Sequence, residues 1–298
     1  MIRYGIVVHG GAGSSTRLNG ACKPACEGGF RLLMEGATAV EAVVEAARIM
    51  EDDGRFNAGC GSVLRLDGKT VEMDASVMDS GGVVGAVISI RNVRNPVLVA
   101  RAVMDTPHIA LSGEGARLFA RRHRFPRHVV DPRARVRYEK LLGEIRSGRL
   151  AKRDPRWKEC ELPGLWNFET PYKKVFVDTI GAVAMDRHGS MAVAASTGGA
   201  SPMLLGRVGD TPMVGSGFYA GPHGAVTATG IGEEIVKRVL SKAVYDGLAE
   251  DKNVNDACGD GLRLFPRTVP IGIIAITPRG YGVCANRRMA HCVRVAEY

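Results

Sequence analysis

No stretch of this 298-residue chain is apolar over the roughly 20 residues that a membrane-spanning helix needs. The opening run, Ile2 to Val8, is too short for the hydrophobic region of a secretory signal, so no membrane role and a cytoplasmic location are expected. Aromatic residues are scarce, at 6%, beside 38 glycines and many alanines, a composition suited to closely packed sheets. Cysteine is neither dense nor even in number. Seven are scattered along the chain, which argues against a disulfide framework and for free thiols in a reducing compartment. Cys22 and Cys26 share an i, i+4 spacing but lack the further ligands of a zinc site, so buried thiols are expected. There is no internal repeat and no low-complexity tract. With 45% apolar residues the chain can bury a large core as one or two domains.

A net charge of +9 suggests a nucleic-acid partner, but its distribution argues against one. Residues 117–158 hold 15 Lys and Arg against 4 Asp and Glu, a net of +11, so the rest of the chain is close to neutral. A block of like charge containing Pro132 and Pro155 reads as a solvated, mobile segment. Tyr138, Leu141, Leu142 and Ile145 recur within it at helical spacing, which allows a short basic helix over 135–150. The segment of about 125–177 is read as a flexible tether, with a docking tail for an acidic partner as the alternative.

The candidate chemistry lies in Asp178-Thr179-Ile180-Gly181-Ala182-Val183-Ala184-Met185-Asp186. A threonine hydroxyl is a weak nucleophile and needs a base within hydrogen-bond reach. No His/Asp arrangement stands near Thr179 in sequence. The threonine can supply the base itself, through its α-amino group, if the chain is cut between Asp178 and Thr179. Such an amine titrates at about 7.7–8.0, near a cellular pH. Taken alone, Thr179 could equally open a strand with no chemical role.

The residues from Thr179 to Met185 read as a strand buried on both faces, Arg187-His188-Gly189 as a tight turn, and Met191 to Ala195 as its partner. Closing Asp186 against Ser190 puts Thr179 opposite Thr197, and a two-residue loop would shift the partner only to Gly198. Directly opposed residues hold their Cβ atoms about 4.5–5.5 Å apart, so Thr197 could reach the Thr179 amine or hydroxyl. An ordinary Thr–Thr cross-strand pair is the alternative. In Gly206-Arg207-Val208-Gly209-Asp210 a guanidinium and a carboxylate stand three residues apart between glycines. They form either a surface ion pair of little value or a clamp for a zwitterion. Ala228-Thr229-Gly230-Ile231-Gly232-Glu233-Glu234 leads into an amphipathic helix running to about Leu248. Its start suits an oxyanion, or Thr229 is simply the N-cap.

Together with Val8-His9-Gly10-Gly11-Ala12-Gly13, the run Met50-Glu51-Asp52-Asp53-Gly54-Arg55-Phe56-Asn57-Ala58-Gly59-Cys60-Gly61-Ser62, Met73-Asp74-Ala75-Ser76-Val77-Met78-Asp79 and Ser196-Thr197-Gly198-Gly199, these segments resemble the plant-type asparaginase/isoaspartyl peptidase family of N-terminal nucleophile (Ntn) hydrolases. The resemblance implies an α+β fold, a four-layer αββα sandwich cut into an α subunit, 1–178, and a β subunit, 179–298, which together form one structural domain. It makes Thr179 nucleophile and base, with Thr197 orienting it and Asn57 supporting it. It assigns the oxyanion to Thr229 and the Gly230 N–H, the substrate α-carboxylate to Arg207, and the α-ammonium to Asp210, with Gly232 lining that end. No cofactor is needed for catalysis. The carbonyls of Met50, Glu51, Asp53, Phe56, Ala58 and Cys60 would hold a structural sodium ion. The expected substrates are L-asparagine and β-aspartyl dipeptides, and the expected assembly is a homodimer of αβ units. A nucleic-acid partner is not expected.

Near the C-terminus the chain departs from the family pattern at Ile271-Gly272-Ile273-Ile274-Ala275 and Asn286-Arg287-Arg288-Met289, and again at Tyr219-Ala220-Gly221-Pro222-His223, which leaves the leaving group open. Rival readings are a glycosylasparaginase, an Asp-specific threonine protease of the same fold, and a non-catalytic protein binding through the basic tract. Local patterns further predict strands near 62–66 and 212–216 and one unbroken helix from 232.

Overall fold

The computed structural model describes residues 1–65, 67–146, 176–177 and 179–297. Asp178 and much of the expected tether therefore lie outside the described residues. The elements run in the order β1 (Ile2–Ala12), α1 (Asn19–Met34), α2 (Ala39–Asp52), β2 (Met73–Asp79), β3 (Val84–Ile90), α3 (Pro96–Val103), β4 (Ala110–Ser112), α4 (Gly113–Arg122) and α5 (Pro132–Arg146). They continue with β5 (Phe176–Val177), β6 (Ile180–Met185), β7 (Met191–Thr197), β8 (Ala200–Ser201), β9 (Phe218–Gly221), β10 (Gly224–Gly230), α6 (Gly232–Arg238), α7 (Leu240–Ala249), α8 (Val254–Arg263), β11 (Ile271–Thr277), β12 (Gly280–Ala285) and β13 (Met289–Glu297). The result is a mixed α+β protein. Among the described residues no helix is long and apolar enough to cross a membrane.

One sheet has the order β13-β1-β6-β7-β2-β3-β4 and the other β12-β11-β10-β9. Three apolar clusters account for their placement. The first joins α1, α2, α3 and α4 to the seven-stranded sheet through Ile6, Val8, Val43, Ala46, Val77 and Ala194. The second joins α6, α7 and α8 to the four-stranded sheet through Ile235, Leu240, Val244 and Ile273. Between the sheets lies a third, built on Val7, Val183, Val193, Phe218, Ala225 and Ile274. Inner strands are thus buried on both faces, which is why they read as unbroken apolar runs.

The β6–β7 hairpin keeps the register expected from closing Asp186 against Ser190, with Ile180 opposite Ser196 and Met185 opposite Met191. The Asp186 N–H donates to the Ser190 carbonyl at 2.9 Å, and its carboxylate accepts the His188 and Ser190 amides. Gly189 supplies the left-handed residue of the turn, at φ +80°. On α2 a reciprocal capping box of Thr38 and Glu41 sets the start. Its buried face then delivers Glu51 beneath β7, where the Ser196 hydroxyl donates to the Glu51 carboxyl at 2.6 Å.

Four local expectations are corrected. Residues 62–65 form a buried loop instead of a strand, because Val63 N–H bonds the Asn57 side chain and Arg65 N–H the Thr70 carbonyl. Residues 212–216 turn back on the Asp210 carbonyl, which accepts Met213 and Gly217 amides, and the strand begins at Phe218. The helix from Gly232 breaks at Val239, a left-handed residue at φ 48°. There the Ser241 and Lys242 amides bond the carbonyls of Ser216 and Gly215, which restarts the helix on a new axis. The first part of the expected tether, as far as α5, is docked on the body of the protein. His128 Nε2 donates to the Gly59 carbonyl at 3.0 Å, Asp131 N–H to the Cys60 carbonyl at 2.9 Å, and the Arg137 guanidinium to the carbonyls of Gly54 and Gly61. Ala134 and Leu141 of α5 are buried. Charge patterning suggested solvation here, but the guanidinium docks on carbonyls, an outcome that charge counting does not anticipate.

Gly181 marks a close crossing of the layers. A Cβ there would lie 2.4 Å from His9 Nε2 and 2.8 Å from a Thr227 methyl. Gly181→Ala is expected to cost about 1–3 kcal/mol through overpacking, read as a lower denaturant midpoint with an unchanged slope.

Candidate active site

Thr179 is buried, 3% exposed, at the head of β6, and its hydroxyl faces that of Thr197 at 3.4 Å. Thr197 ends β7, and its oxygen also accepts the Gly199 N–H at 3.0 Å. The turn after it, Gly198-Gly199, is held from three sides. Asn57 donates its side-chain amide to the Gly199 carbonyl at 2.7 Å, and its own carbonyl accepts the Gly198 N–H at 2.9 Å. A Cβ on Gly198 would sit 2.4 Å from the Asn57 side-chain oxygen, so only glycine allows this approach. Asn57 thus braces the turn that follows Thr197.

The third brace was not read from sequence. Arg65 is buried and donates to the Gly198 carbonyl at 3.1 Å and the Glu72 carbonyl at 2.9 Å, with the Glu72 carboxylate at 3.4 Å. Burial lowers the guanidinium pKa to about 10, which the Glu72 charge partly offsets. Glu72 in turn accepts the Gly206 N–H at 2.9 Å and the Arg91 guanidinium at 2.5 Å. Burial opposes its ionisation, but these donors outweigh burial and hold the carboxyl below its ordinary value. One buried ion pair therefore links the Thr197 turn to the loop that begins at Gly206. Asp74 lies beside it, opposite Thr197 in the sheet, and burial raises its carboxyl to about 6.

Arg207 and Asp210 come together around Gly232. A Cβ on Gly232 would lie 2.8 Å from one Asp210 oxygen and 3.0 Å from an Arg207 nitrogen. Arg207 forms its ion pair with Glu233, at 2.8 Å, so the guanidinium is engaged by a half-exposed carboxylate. Asp210 is buried, and its Oδ2 has no hydrogen-bond partner. Burial raises its carboxyl to about 7, with the Arg207 charge pulling the other way.

Thr229 and Gly230 end β10 on the four-stranded sheet, facing the first sheet. The N-cap of α6 is Ile231, so Thr229 is not a helix cap. Its hydroxyl oxygen accepts the Ala12 N–H at 3.2 Å across the gap between sheets. A hydroxyl that accepts at one lone pair keeps its own proton to donate elsewhere. Gly230 sits at φ +149°, with its Cα face against the Pro270 carbonyl. His9, also not singled out in the sequence, packs against the backbone of Thr179 and Gly181. Burial drives its pKa down to about 3, so the ring is neutral.

The Met50–Cys60 loop offers oxygen ligands suited to a hard cation. The Met50, Asp53, Ala58 and Cys60 carbonyls each accept one backbone N–H, which leaves a second lone pair on each. Glycines at 59 and 61 let the Glu51 and Phe56 carbonyls approach to where a Cβ would stand at 2.3 and 2.1 Å. These carbonyls have the oxygen chemistry that a sodium ion would take. Among the described residues no group of three or more His, Cys, Asp or Glu side chains is arranged for a metal. Cys22 and Cys26 are buried.

Buried threonines from two facing sheets, a carboxylate with an unmet oxygen and a nearby guanidinium form an amidase-like centre. A family model described as Asparaginase matches residues 2–297, and the chain belongs to that family. It is 42% identical over 260 residues to the isoaspartyl peptidase/L-asparaginase of Danio rerio, covering 85% of this chain and 78% of that protein. It is 38% identical over 292 residues to the plant-type L-asparaginase of Pyrobaculum calidifontis, covering 92% and 91%. A similar protein from Pyrococcus furiosus, also named plant-type L-asparaginase, is 39% identical over 287 residues, covering 92% and 90%.

Arg65→Met should cost about 3–5 kcal/mol in chemical denaturation, since it strips the cation from a buried carboxylate, and Arg65→Lys should recover part of the loss. A second expectation concerns pH. Asp210, raised from 3.8 to about 7, keeps its proton in the folded protein where the unfolded chain has lost it. Its contribution to stability therefore falls as pH rises from about 4 to about 7. Asp210→Asn should flatten that window by up to about 1.4 kcal/mol per pH unit, read from denaturation midpoints across the range.

Proposed function

We propose that this chain is a self-processing threonine amidohydrolase that cleaves β-aspartyl amides, converting L-asparagine to L-aspartate and ammonia and isoaspartyl dipeptides to aspartate and an amino acid. The observation that carries the reading is the Thr179–Thr197 hydroxyl pair at 3.4 Å, in the register that puts the two residues opposite each other. The names of the relatives, which couple isoaspartyl peptidase with L-asparaginase, support both substrates over a glycosylated one.

Cleavage before Thr179 gives its amine, which takes the hydroxyl proton as Oγ attacks the β-carbonyl of the substrate. The oxyanion receives the Thr229 O–H and the Gly230 N–H, and the Thr229 proton is aimed outward because its oxygen already accepts from Ala12. The leaving amine departs with a proton, and water then hydrolyses the β-aspartyl ester on Thr179. Arg207 takes the α-carboxylate in exchange for Glu233, an ion pair that is half-exposed and therefore weakly held. Asp210 takes the α-ammonium at its unpartnered oxygen. In the cut itself, Thr179 Oγ attacks the Asp178 carbonyl and shifts the acyl group from nitrogen to oxygen before hydrolysis.

The three successive apolar clusters support the four-layer αββα arrangement of an Ntn hydrolase. Sodium on the carbonyls of Met50, Glu51, Asp53, Phe56, Ala58 and Cys60 would fix the loop that carries Asn57 and would take no part in the chemistry. The working form in this reading is a cytoplasmic dimer of αβ units.

Thr179→Ala is expected to leave a single 298-residue chain on a denaturing gel and to abolish ammonia release from asparagine. N-terminal sequencing of the unaltered protein should find a new terminus at Thr179, and a chain that stays whole through prolonged incubation sinks the mechanism. Arg207→Ala should still be cut while KM rises by tenfold or more. Equal loss of cutting and turnover would refute the clamp.

A further inference from the structure

Two pairs of cysteines face each other across the same kind of seam. Cys26, buried in α1, and Cys292 on β13, the edge strand of the seven-stranded sheet, shift each other's thiol pKa in opposite directions, Cys26 upward and Cys292 downward. Cys258, buried in α8, and Cys284 on β12, the edge strand of the four-stranded sheet, do the same, Cys258 upward and Cys284 downward. The remaining contacts of these sulfurs are weak. Cys26 Sγ lies 3.9 Å from the Ile6 carbonyl and Cys284 Sγ 3.9 Å from that of Asn255. Ile6 pairs with Arg294 and Val8 with Cys292, so the Cys26 sulfur lies over the β1–β13 seam. In the other pair Gly282 makes the room, since a Cβ there would sit 3.0 Å from the Cys258 sulfur. Gly282 and Cys284 share one face of β12, which puts that sulfur over the strand between them.

We propose that Cys26–Cys292 and Cys258–Cys284 are disulfide-forming pairs, each a covalent staple between an outer helix and the edge strand of the sheet it covers. This revises the expectation of free thiols. Each pair has one buried sulfur and one half-exposed sulfur, the division of labour that disulfide exchange requires. The half-exposed member is also the better nucleophile. The partner thiol lowers Cys292 to about 6 and Cys284 to about 7, against the opposing effect of burial. The exposed thiolate attacks a sulfur of a small disulfide such as oxidised glutathione, and one small thiolate leaves. The buried thiol loses its proton and attacks the protein sulfur of the mixed disulfide, and the second small thiolate leaves. One protein S–S bond forms as one small-molecule S–S bond is reduced, with two protons and two electrons passing to the two released thiols.

The staples differ in where they fall along the chain. Cys258–Cys284 lies wholly within 179–298. Cys26–Cys292 joins residues on either side of Asp178–Thr179 and so, if the proposed cut is made, holds the two subunits together covalently.

The test uses the full-length protein incubated with oxidised glutathione, denatured, alkylated, and read by intact mass and by digestion. Four of the seven cysteines should escape alkylation, and the digest should contain Cys26–Cys292 and Cys258–Cys284 cross-linked peptides. A denaturing gel without reductant should show one species, which reductant resolves into two. Cys292→Ser should release the two fragments without reductant, whereas Cys284→Ser should leave them joined and lose only the second cross-link. Alkylation of all seven cysteines after oxidation, or cross-links between other cysteines, overturns the proposal. A reduced chain that keeps its 298-residue mass while both cross-links are present supports the staples and removes the cut.

Discussion

The turn from Thr197 to Gly199 lies out of reach of water, and the site depends on how its backbone polar groups are satisfied. A buried carbonyl or amide without a partner costs on the order of 1–3 kcal/mol. Asn57 meets two of the turn's groups and Arg65 a third, so the backbone that positions Thr197 has little freedom. Arg65 can be buried because Glu72 neutralises it, and Glu72 can stay ionised because Gly206 and Arg91 also donate to it. The Thr179–Thr197 pair and the Arg207 loop thus share one electrostatic foundation.

The two sheets divide the chemistry between them. Thr179 and Thr197 belong to the seven-stranded sheet and Thr229 to the four-stranded one, so the centre exists only where the sheets face each other. Small residues make that approach possible. Gly181 leaves space for His9 and for a methyl of Thr227, and Gly272 admits the Met289 sulfur beside Thr229. The scarcity of aromatics noted in the composition thus has a structural counterpart, since a wider spacing would part the threonines.

Much of this was legible because it is local. The Gly189 turn and the apolar run on either side set the β6–β7 register, and that register pairs Thr179 with Thr197. The Arg207–Asp210 spacing left a surface ion pair and a zwitterion clamp both open, and the Glu233 partner of Arg207 emerged only when α6 brought that carboxylate back to the guanidinium. Arg65 and Glu72 were hidden inside what looked like strand residues, and their partners Gly198 and Gly206 lie more than a hundred residues away. The break at Val239 was equally invisible, because it is imposed by carbonyls of Gly215 and Ser216 arriving from another segment. In α5 the charge pattern was read correctly as basic, yet Arg137 turned inward to bind carbonyls. Periodicity describes a segment, whereas burial of a charge is decided by what the rest of the chain places beside it.

The unmet oxygen of Asp210 has a consequence for selectivity. Asp210 sets a carboxylate in a dry place with one oxygen lacking a hydrogen-bond partner, so an ionised Asp210 is costly there unless a cation meets it. A ligand that brings an ammonium completes the electrostatics, while one of the same shape without it leaves a buried charge alone or forces the carboxyl to take a proton. Sites that reject by leaving polar groups unpaired reach discrimination of roughly 10⁴-fold, far beyond what a misfit methylene achieves. If Asp210 holds the substrate ammonium as proposed, recognition of an amino acid rests mainly on what happens to Asp210 when the amine is missing.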